Sequence, residues 1–476
     1  MATQREKIMG FLAEQIAQAK FRVQAYVFNS ENVKNPHRSI FVKLKAYLKN
    51  FLEGNRNIRW ITLTGLRGSG KTTLLSQLFY DQPDNNCYKL FLSLDQTSQI
   101  LDAPLDEVIS AYEGIIGKSL ETLDKPLILF LDEAQYDKKW GVVLKSIYDR
   151  SNKVFMIVTG SAALSMNSNT DIVRRTVFEK LFPLSFPEYL KIRKQKFEIK
   201  GLGKQIRDAM YLSPDAKSSF ETLIPLEKKV NEYYADVTRH EFEKYMHYGS
   251  LPFMVASDNE AIVYDQISKS LDRVISGDIL STGRFSSEII SKIPRILYAI
   301  ADMDAFNITK ISGTFSVSRP KATEIFELLE YTEILHRILP YGSHLNQVKK
   351  PSKYLFSSPA FRAMYYKAIG NTMTMEAANG KLMEDLVGMY LYRFAYKNPG
   401  SFLAYDSAQG GADFVLGFGK RQLIIEVGAG AKGYRQVINS SKKIKSDYGM
   451  IISSDGLEYS EEYNAVKIPL RLFLLT

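Results

Sequence analysis

Between Thr64 and Thr73 the chain reads TGLRGSGKTT, a G-x-x-x-x-G-K-T pattern. An apolar run precedes it (Trp60, Ile61, Leu63) and a helically spaced apolar set follows it (Leu74, Leu75, Leu78, Phe79). The expected local structure is strand, glycine loop, helix. The loop comprises Gly65, Leu66, Arg67, Gly68, Ser69, Gly70, Lys71, Thr72 and Thr73. Its glycines let consecutive backbone N–H groups turn inward at a helix N-terminus, where they cradle phosphate oxygens. Lys71 is placed to reach β- and γ-phosphates, and the Thr72 hydroxyl to ligate Mg²⁺. ATP with Mg²⁺ is the expected ligand.

A second signal follows in Leu127–Glu133, an apolar run ending in two carboxylates. Asp132 is expected to hold the Mg²⁺ shell beside Thr72. Glu133 then stands where a general base would polarise an attacking water. The next apolar run ends in Thr159-Gly160-Ser161. Ser161, in preference to Thr159, is the expected hydroxyl for orienting water or contacting the γ-phosphate. Phosphoryl transfer also needs positive charge at the transition state, for which Arg150, Arg174 and Arg175 are the candidates.

The chain has 476 residues, enough for about three domains. Lys and Arg outnumber Asp and Glu by 62 to 52, a net charge of +10 that favours polyanionic partners such as DNA. Cys87 is the only cysteine, which excludes an internal disulfide or a cysteine zinc site. The five histidines show no metal-ligand spacing. Gln4, Arg5 and Glu6 lie inside the first helical pattern, so no signal peptide is expected, and no apolar run approaches membrane-spanning length. A cytoplasmic protein is the expectation.

The fold class expected is α/β. Residues 1–55 read as an N-terminal helical segment. In 56–185, strands at Trp60–Leu63, Tyr88–Leu92, Leu127–Leu131 and Phe155–Thr159 alternate with helices, as in a parallel sheet covered on both faces. Residues 186–280 are helical and charged, with a basic cluster from Lys191 to Arg207. Residues 281–360 read as helix, turn, helix and hairpin, the hairpin strands being Ile334–Leu339 and Lys353–Phe356. Ser316 or Ser318 would cap the second helix, with Pro320 in its first turn. Arg319, Lys321 and Thr323 would face a groove, yet Glu324, Glu327 and Glu330 on the same helix repel phosphate. DNA contact and a purely structural role stay open for this helix. Residues 361–476 begin with a helix and become strand-rich.

The segments LTGLRGSGKTTLL, LILFLDEAQ, IVTGSAAL and RRTVFEKLFPLSFPEYL together resemble a prokaryotic and archaeal family of AAA-type P-loop ATPases. The resemblance covers most of the chain from Arg56 onward. It implies ATP hydrolysis, a helical lid over 186–280, a winged helix over 281–360 and a restriction-endonuclease-like domain over 361–476. It also makes Arg175 the first choice for the transition-state arginine. The stretches Gly411–Val415 and Leu423–Gly428 are similar to a PD-(D/E)XK nuclease core. That likeness implies metal ligation by Asp413 and Glu426, with Glu384 as a third acid. The pattern's lysine is missing, because Gly428 stands two residues after Glu426. Lys432 is the candidate substitute. The basic run through Lys432, Arg435, Lys442, Lys443 and Lys445 is a candidate backbone-binding face.

The leading reading is an ATP-hydrolysing switch or motor coupled to DNA, with a degenerate nuclease-like domain. A nucleotide-gated scaffold for a protein partner and an active ATP-dependent nuclease are the rivals. A homo-oligomer is compatible with each.

Overall fold

The computed structural model describes residues 3–84, 86–160, 170–279, 286–302, 308–369, 375–428, 434–454 and 456–476. The chain divides into two compact units, Met1–Phe182 and Pro183–Thr476. Among the described residues no helix is long and apolar enough to cross a membrane.

The first unit is built on five parallel strands, β1 (Trp60–Gly65), β2 (Tyr88–Ser93), β3 (Leu127–Asp132), β4 (Val154–Gly160) and β5 (Val177–Leu181), in the order β2-β3-β4-β1-β5. Alternate residues of each strand enter opposite cores. Ile128 and Phe130 join Ile61, Leu63, Phe155 and Ile157 on one face, whereas Leu127, Leu129 and Leu131 join Trp60, Met156 and Val158 on the other. Strands buried on both faces read as continuous apolar runs, which is why β1, β3 and β4 were visible in the sequence. β5 was not anticipated. It is an edge strand with the mixed sequence VFEKL, and only two of its five residues are buried.

Helices cover both faces. α1 (Gln4–Val27) places Ile8 and Leu12 in one core, and α2 (Ile40–Leu52) places Phe41, Leu44, Leu48 and Phe51 in the other. α3 (Lys71–Asp81) follows the glycine loop and adds Leu74, Leu75 and Leu78. The N-terminal segment is thus part of the packing of this unit.

The second unit carries an eight-stranded sheet in the order β12-β13-β11-β10-β9-β8-β6-β7. The strands are β6 (Leu335–Pro340), β7 (Lys353–Phe356), β8 (Phe402–Tyr405), β9 (Phe414–Phe418), β10 (Arg421–Gly428), β11 (Tyr448–Ser453), β12 (Glu458–Ser460) and β13 (Ala465–Pro469). The hairpin expected near 334–356 is present as β6 and β7. It also extends the C-terminal sheet, because Leu339 and Pro340 pair in parallel with Ala404 and Tyr405. The two helices before it span Ile308–Thr314 and Arg319–Tyr331, with Pro320 in the first turn and Ser318 at the cap position. The Ser318 side chain makes no capping bond. Residues from Leu184 to Val255 share one core with β10, β11 and β13. Across that core lies the helix Met375–Lys397, which contributes Met383, Leu386, Val387 and Tyr390.

One buried ion pair pins this helix to its predecessor, Pro359–Ile369. Arg362 Nε and Nη2 donate to Asp385 Oδ2 and Oδ1 at 2.5 and 3.0 Å, and Arg362 Nη1 donates to Ala301 O at 2.6 Å. Phe356 N donates to the same carboxylate at 3.1 Å. Both side chains are nearly inaccessible to solvent. Asp385→Ala should therefore cost about 3–5 kcal/mol in urea unfolding, since it strands a buried guanidinium. Arg362→Met combined with Asp385→Leu should recover most of the loss.

Candidate nucleotide site

β1 lies between β4 and β5, so its C-terminal end opens at the edge where parallel α/β sheets place ligands. The chain leaves β1 at Gly65, where a Cβ would come within 2.5 Å of Leu181 O. It enters α3 through Gly70 at φ +95°, a left-handed value that glycine adopts without strain. The loop between them reaches solvent at Gly68, and Arg67 is half-buried. Lys71 is buried and donates from Nζ to Gly65 O at 2.8 Å and Leu66 O at 3.1 Å. Ser69 Oγ is buried and has no hydrogen-bond partner among the described residues. A loop with a lysine resting on neutral carbonyls and an unsatisfied hydroxyl fits an incoming phosphate group.

The acid strand sits two places away. Thr72 Oγ1 donates to Asp132 Oδ2 at 2.8 Å. Between them runs β4, whose Thr159 pairs with Leu63 of β1 and lies one step beyond the Leu131↔Val158 pair of β3. Its hydroxyl donates to Asp132 Oδ1 and accepts from Glu133 N at 3.2 Å. Glu133 adopts φ +53° at the turn out of β3, and Gln135 Nε2 donates to Glu133 Oε2. Thr72, Asp132, Glu133 and Lys71 are therefore brought to one place. Thr159 and Gln135 are additions. Thr159 ranked second to Ser161 because strand order, which sets it between Thr72 and Asp132, is not readable from one strand. Ser161 lies outside the described residues.

Two of the three candidate arginines are engaged in ion pairs. Arg175 makes a two-point ion pair with Asp149, Nε to Oδ1 at 2.9 Å and Nη2 to Oδ2 at 3.1 Å. Arg150 binds Glu113 and Glu121, and Arg174 is exposed.

In the second unit Asp413 and Glu426 do meet. Asp413 N donates to Glu426 Oε2 at 3.2 Å, and Val427 N donates to Asp413 Oδ2 at 3.0 Å. Glu384 lies in the same cluster, and Gly428 ends β10. The cation is Lys353 of β7, which pairs with Glu384 and, at 3.4 Å, with Asp413 Oδ1. The nearby carboxylates hold the Lys353 ammonium above its usual range despite burial, while burial pushes Glu384 up. Sequence reading missed Lys353 because it belongs to the hairpin, outside the nuclease-like stretch. Among the described residues no group of three or more His, Cys, Asp or Glu side chains is disposed to hold a metal ion. With Lys353 on two of these acids, the cluster as it stands does not fit a resident metal. Lys432 lies outside the described residues.

Residues 57–190 match the family model of an AAA domain, and residues 239–368 match a domain of unknown function (DUF8612). The first unit thus carries an AAA-type P-loop ATPase domain. Over 440 residues the chain is 32% identical to an uncharacterised protein of Methanocaldococcus jannaschii, MJ1637, covering 91% of this chain and 88% of that protein. It belongs to the family of that protein. MJ1544 of the same organism is 22% identical over 76% of this chain and 73% of its own length. Among solved structures, the Walker-type ATPase PABY2304 of Pyrococcus abyssi aligns over 71% of this chain and 97% of its own, at 14% identity and a TM-score of 0.38. The ORC1 protein of Aeropyrum pernix, solved in complex with DNA, aligns over 72% and 96%, at 12% identity and a TM-score of 0.32. These overlaps are loose.

Burial holds the Asp132 carboxyl above its usual range, against the Thr159 and Thr72 hydroxyls, which draw it down. A carboxyl raised by folding stabilises the fold below its unfolded value, and that contribution is lost as pH rises through the folded value. Once ionised, this carboxylate is a buried charge that a bound cation would offset. Asp132→Asn should raise the Tm of the nucleotide-free protein most at alkaline pH, with the gap closing as pH falls. The same variant should show a smaller Tm increase on addition of nucleotide. Scanning fluorimetry across pH reads both effects.

Proposed function

We propose that this chain is an ATP-hydrolysing switch whose C-terminal unit engages DNA. The observation that carries the reading is the hydrogen-bonded run from Thr72 through Asp132 and Thr159 to the Glu133 amide, beside a lysine resting on loop carbonyls. Phosphate oxygens carry full negative charge where the carbonyls carry only partial charge, so the ammonium would turn from Gly65 O and Leu66 O to the ligand. Thr72 and Asp132 would hold Mg²⁺. When bound, Mg²⁺ supplies positive charge to the phosphate oxygens. Glu133 would accept the proton of the attacking water once Gln135 releases its carboxylate. Thr159 ties Asp132 to the backbone of Glu133 and would move the two as one. Arg175 is the proposed source of transition-state charge, which requires it to leave Asp149. Ser161 is proposed to orient the water.

Support for DNA comes from the net charge of +10 and from the exposed Arg435, Lys442 and Lys445 on and beside the helix Arg435–Ile444. The helix Arg319–Tyr331 and its hairpin are proposed as the winged helix. Lys321 there is paired with Glu324 at 2.7 Å, so this helix offers less free positive charge than its sequence suggested. In the basic cluster, Arg193, Lys194 and Lys196 pair with Asp258, Glu241 and Asp236. The rival scaffold reading gains from one observation: the nuclease-like acids already hold an internal cation in Lys353.

ATP turnover measured with and without single- and double-stranded DNA tests the proposal. Lys71→Ala should lower turnover at least about 100-fold. DNA affinity should fall with salt at a slope of about −0.9 per phosphate contacted, and Lys442→Ala should reduce that slope by about one. Salt-insensitive absence of binding would favour the scaffold. Wild type and Asp413→Ala should leave duplex DNA equally intact in Mg²⁺ or Mn²⁺. Cutting that Asp413→Ala removes would establish the nuclease instead.

A further inference from the structure

The segment before α2 is stitched along α3 from one end to the other. At the far end Lys34 Nζ pairs with Asp81 Oδ1 at 2.5 Å, and His37 Nε2 lies 3.5 Å from Asp81 Oδ2. Midway, Gln77 Nε2 donates to Asn35 O at 3.0 Å. The His37 ring stacks on Phe41 of α2, with centroids 3.7 Å apart and planes 7° from parallel. At the near end Arg38, only 9% exposed, donates from Nη1 to Ser69 O at 2.9 Å. A guanidinium from outside the glycine loop therefore holds one of the loop's own carbonyls.

The peptide unit involved gives this contact a consequence. In a trans peptide the C=O and N–H point in opposite directions. Ser69 C=O and Gly70 N–H belong to one such unit. Fixing the carbonyl on the side of Arg38 fixes the amide on the other side. Gly70 needs that anchor, because at φ +95° it has no side chain to restrain the backbone. A cationic donor on the carbonyl also polarises the unit, which leaves the N–H more positive. The Ser69 hydroxyl of the same turn is buried without a partner among the described residues.

We infer that Arg38 is a positioning residue for nucleotide binding, which aims the Gly70 amide, and with it the Ser69 turn, at the phosphates of a nucleoside di- or triphosphate. The inference rests on the reading of this loop as a phosphate site. It adds that the N-terminal strap is part of that site through the loop's backbone. The effect belongs to the phosphate end of the ligand. It is made in ground state and transition state alike, so it is expressed in binding more than in turnover at saturation.

The test is ADP binding by titration calorimetry and steady-state ATP turnover on the full chain, for wild type, Arg38→Ala, Arg38→Lys and Lys71→Ala. Removing a hydrogen bond to a charged group should weaken ADP binding roughly 10- to 100-fold and raise KM for ATP by a similar factor. kcat should stay within about threefold, as expected for lost uniform binding. Arg38→Lys should recover most of the affinity. Adenosine, which lacks phosphate, should bind wild type and Arg38→Ala with the same inhibition constant. If Arg38→Ala does not fold, Arg38→Gln, a neutral donor, takes its place and should bind ADP more weakly than Arg38→Lys. The inference is overturned if the Arg38 variants bind ADP as wild type does while Lys71→Ala does not. It is also overturned if Arg38→Lys fails to recover affinity and the losses follow thermal stability alone. Wild type that binds neither ADP nor ATP would sink the nucleotide reading itself, and this inference with it.

Discussion

A carboxylate with almost no access to water holds the first unit's functional edge together. Asp132 is 4% exposed, and its two oxygens take hydrogen bonds from Thr72 and Thr159, on the first turn of α3 and the end of β4. A buried charge without donors would cost several kcal/mol, in rough terms, or would be protonated. These two hydroxyls therefore have to stand where they do. They can only do so if β3, β4 and β1 are neighbours, run parallel and end at the same level. The sheet order is the means by which the chain assembles three short polar segments at one edge.

The polar groups at that edge are paired with one another in a way that invites exchange. Lys71 rests on two carbonyls of its own loop, and Glu133 is held by Gln135 two residues on. Each contact satisfies a group that burial would otherwise penalise. A polyphosphate would offer the Lys71 ammonium an anionic partner in place of those neutral carbonyls. The loop is therefore stable as it stands and biased toward a ligand. Arg38 adds a third element, because its bond to Ser69 O restrains backbone that the glycines leave free.

In the second unit the same electrostatic rule leads to a different result. Glu384, Asp413 and Glu426 gather at one end of the sheet, and their repulsion is relieved by Lys353 from β7. That lysine arrives through the hairpin, which joins the C-terminal sheet by the β6–β8 pairing. Residues that looked like three successive modules along the chain share one core and one sheet. The cluster's properties are thus set by a strand outside the stretch that resembles a nuclease core.

What the sequence determined by itself is whatever depends on neighbours along the chain. The glycine loop, the apolar strand ending in Asp132 and Glu133, and strands β1 to β4 are local patterns, and the structure has them within a residue or two. The hairpin was legible for the same reason, since side-chain direction in a strand repeats every second residue. Only the tertiary structure decided which strands lie side by side. That choice put Thr159 between Thr72 and Asp132, turned VFEKL into an edge strand, brought Lys353 to Asp413, and laid Arg38 against the loop. Such pairings join residues far apart in the chain. They are selected by the packing and charge balance of the whole unit, and no local periodicity records them.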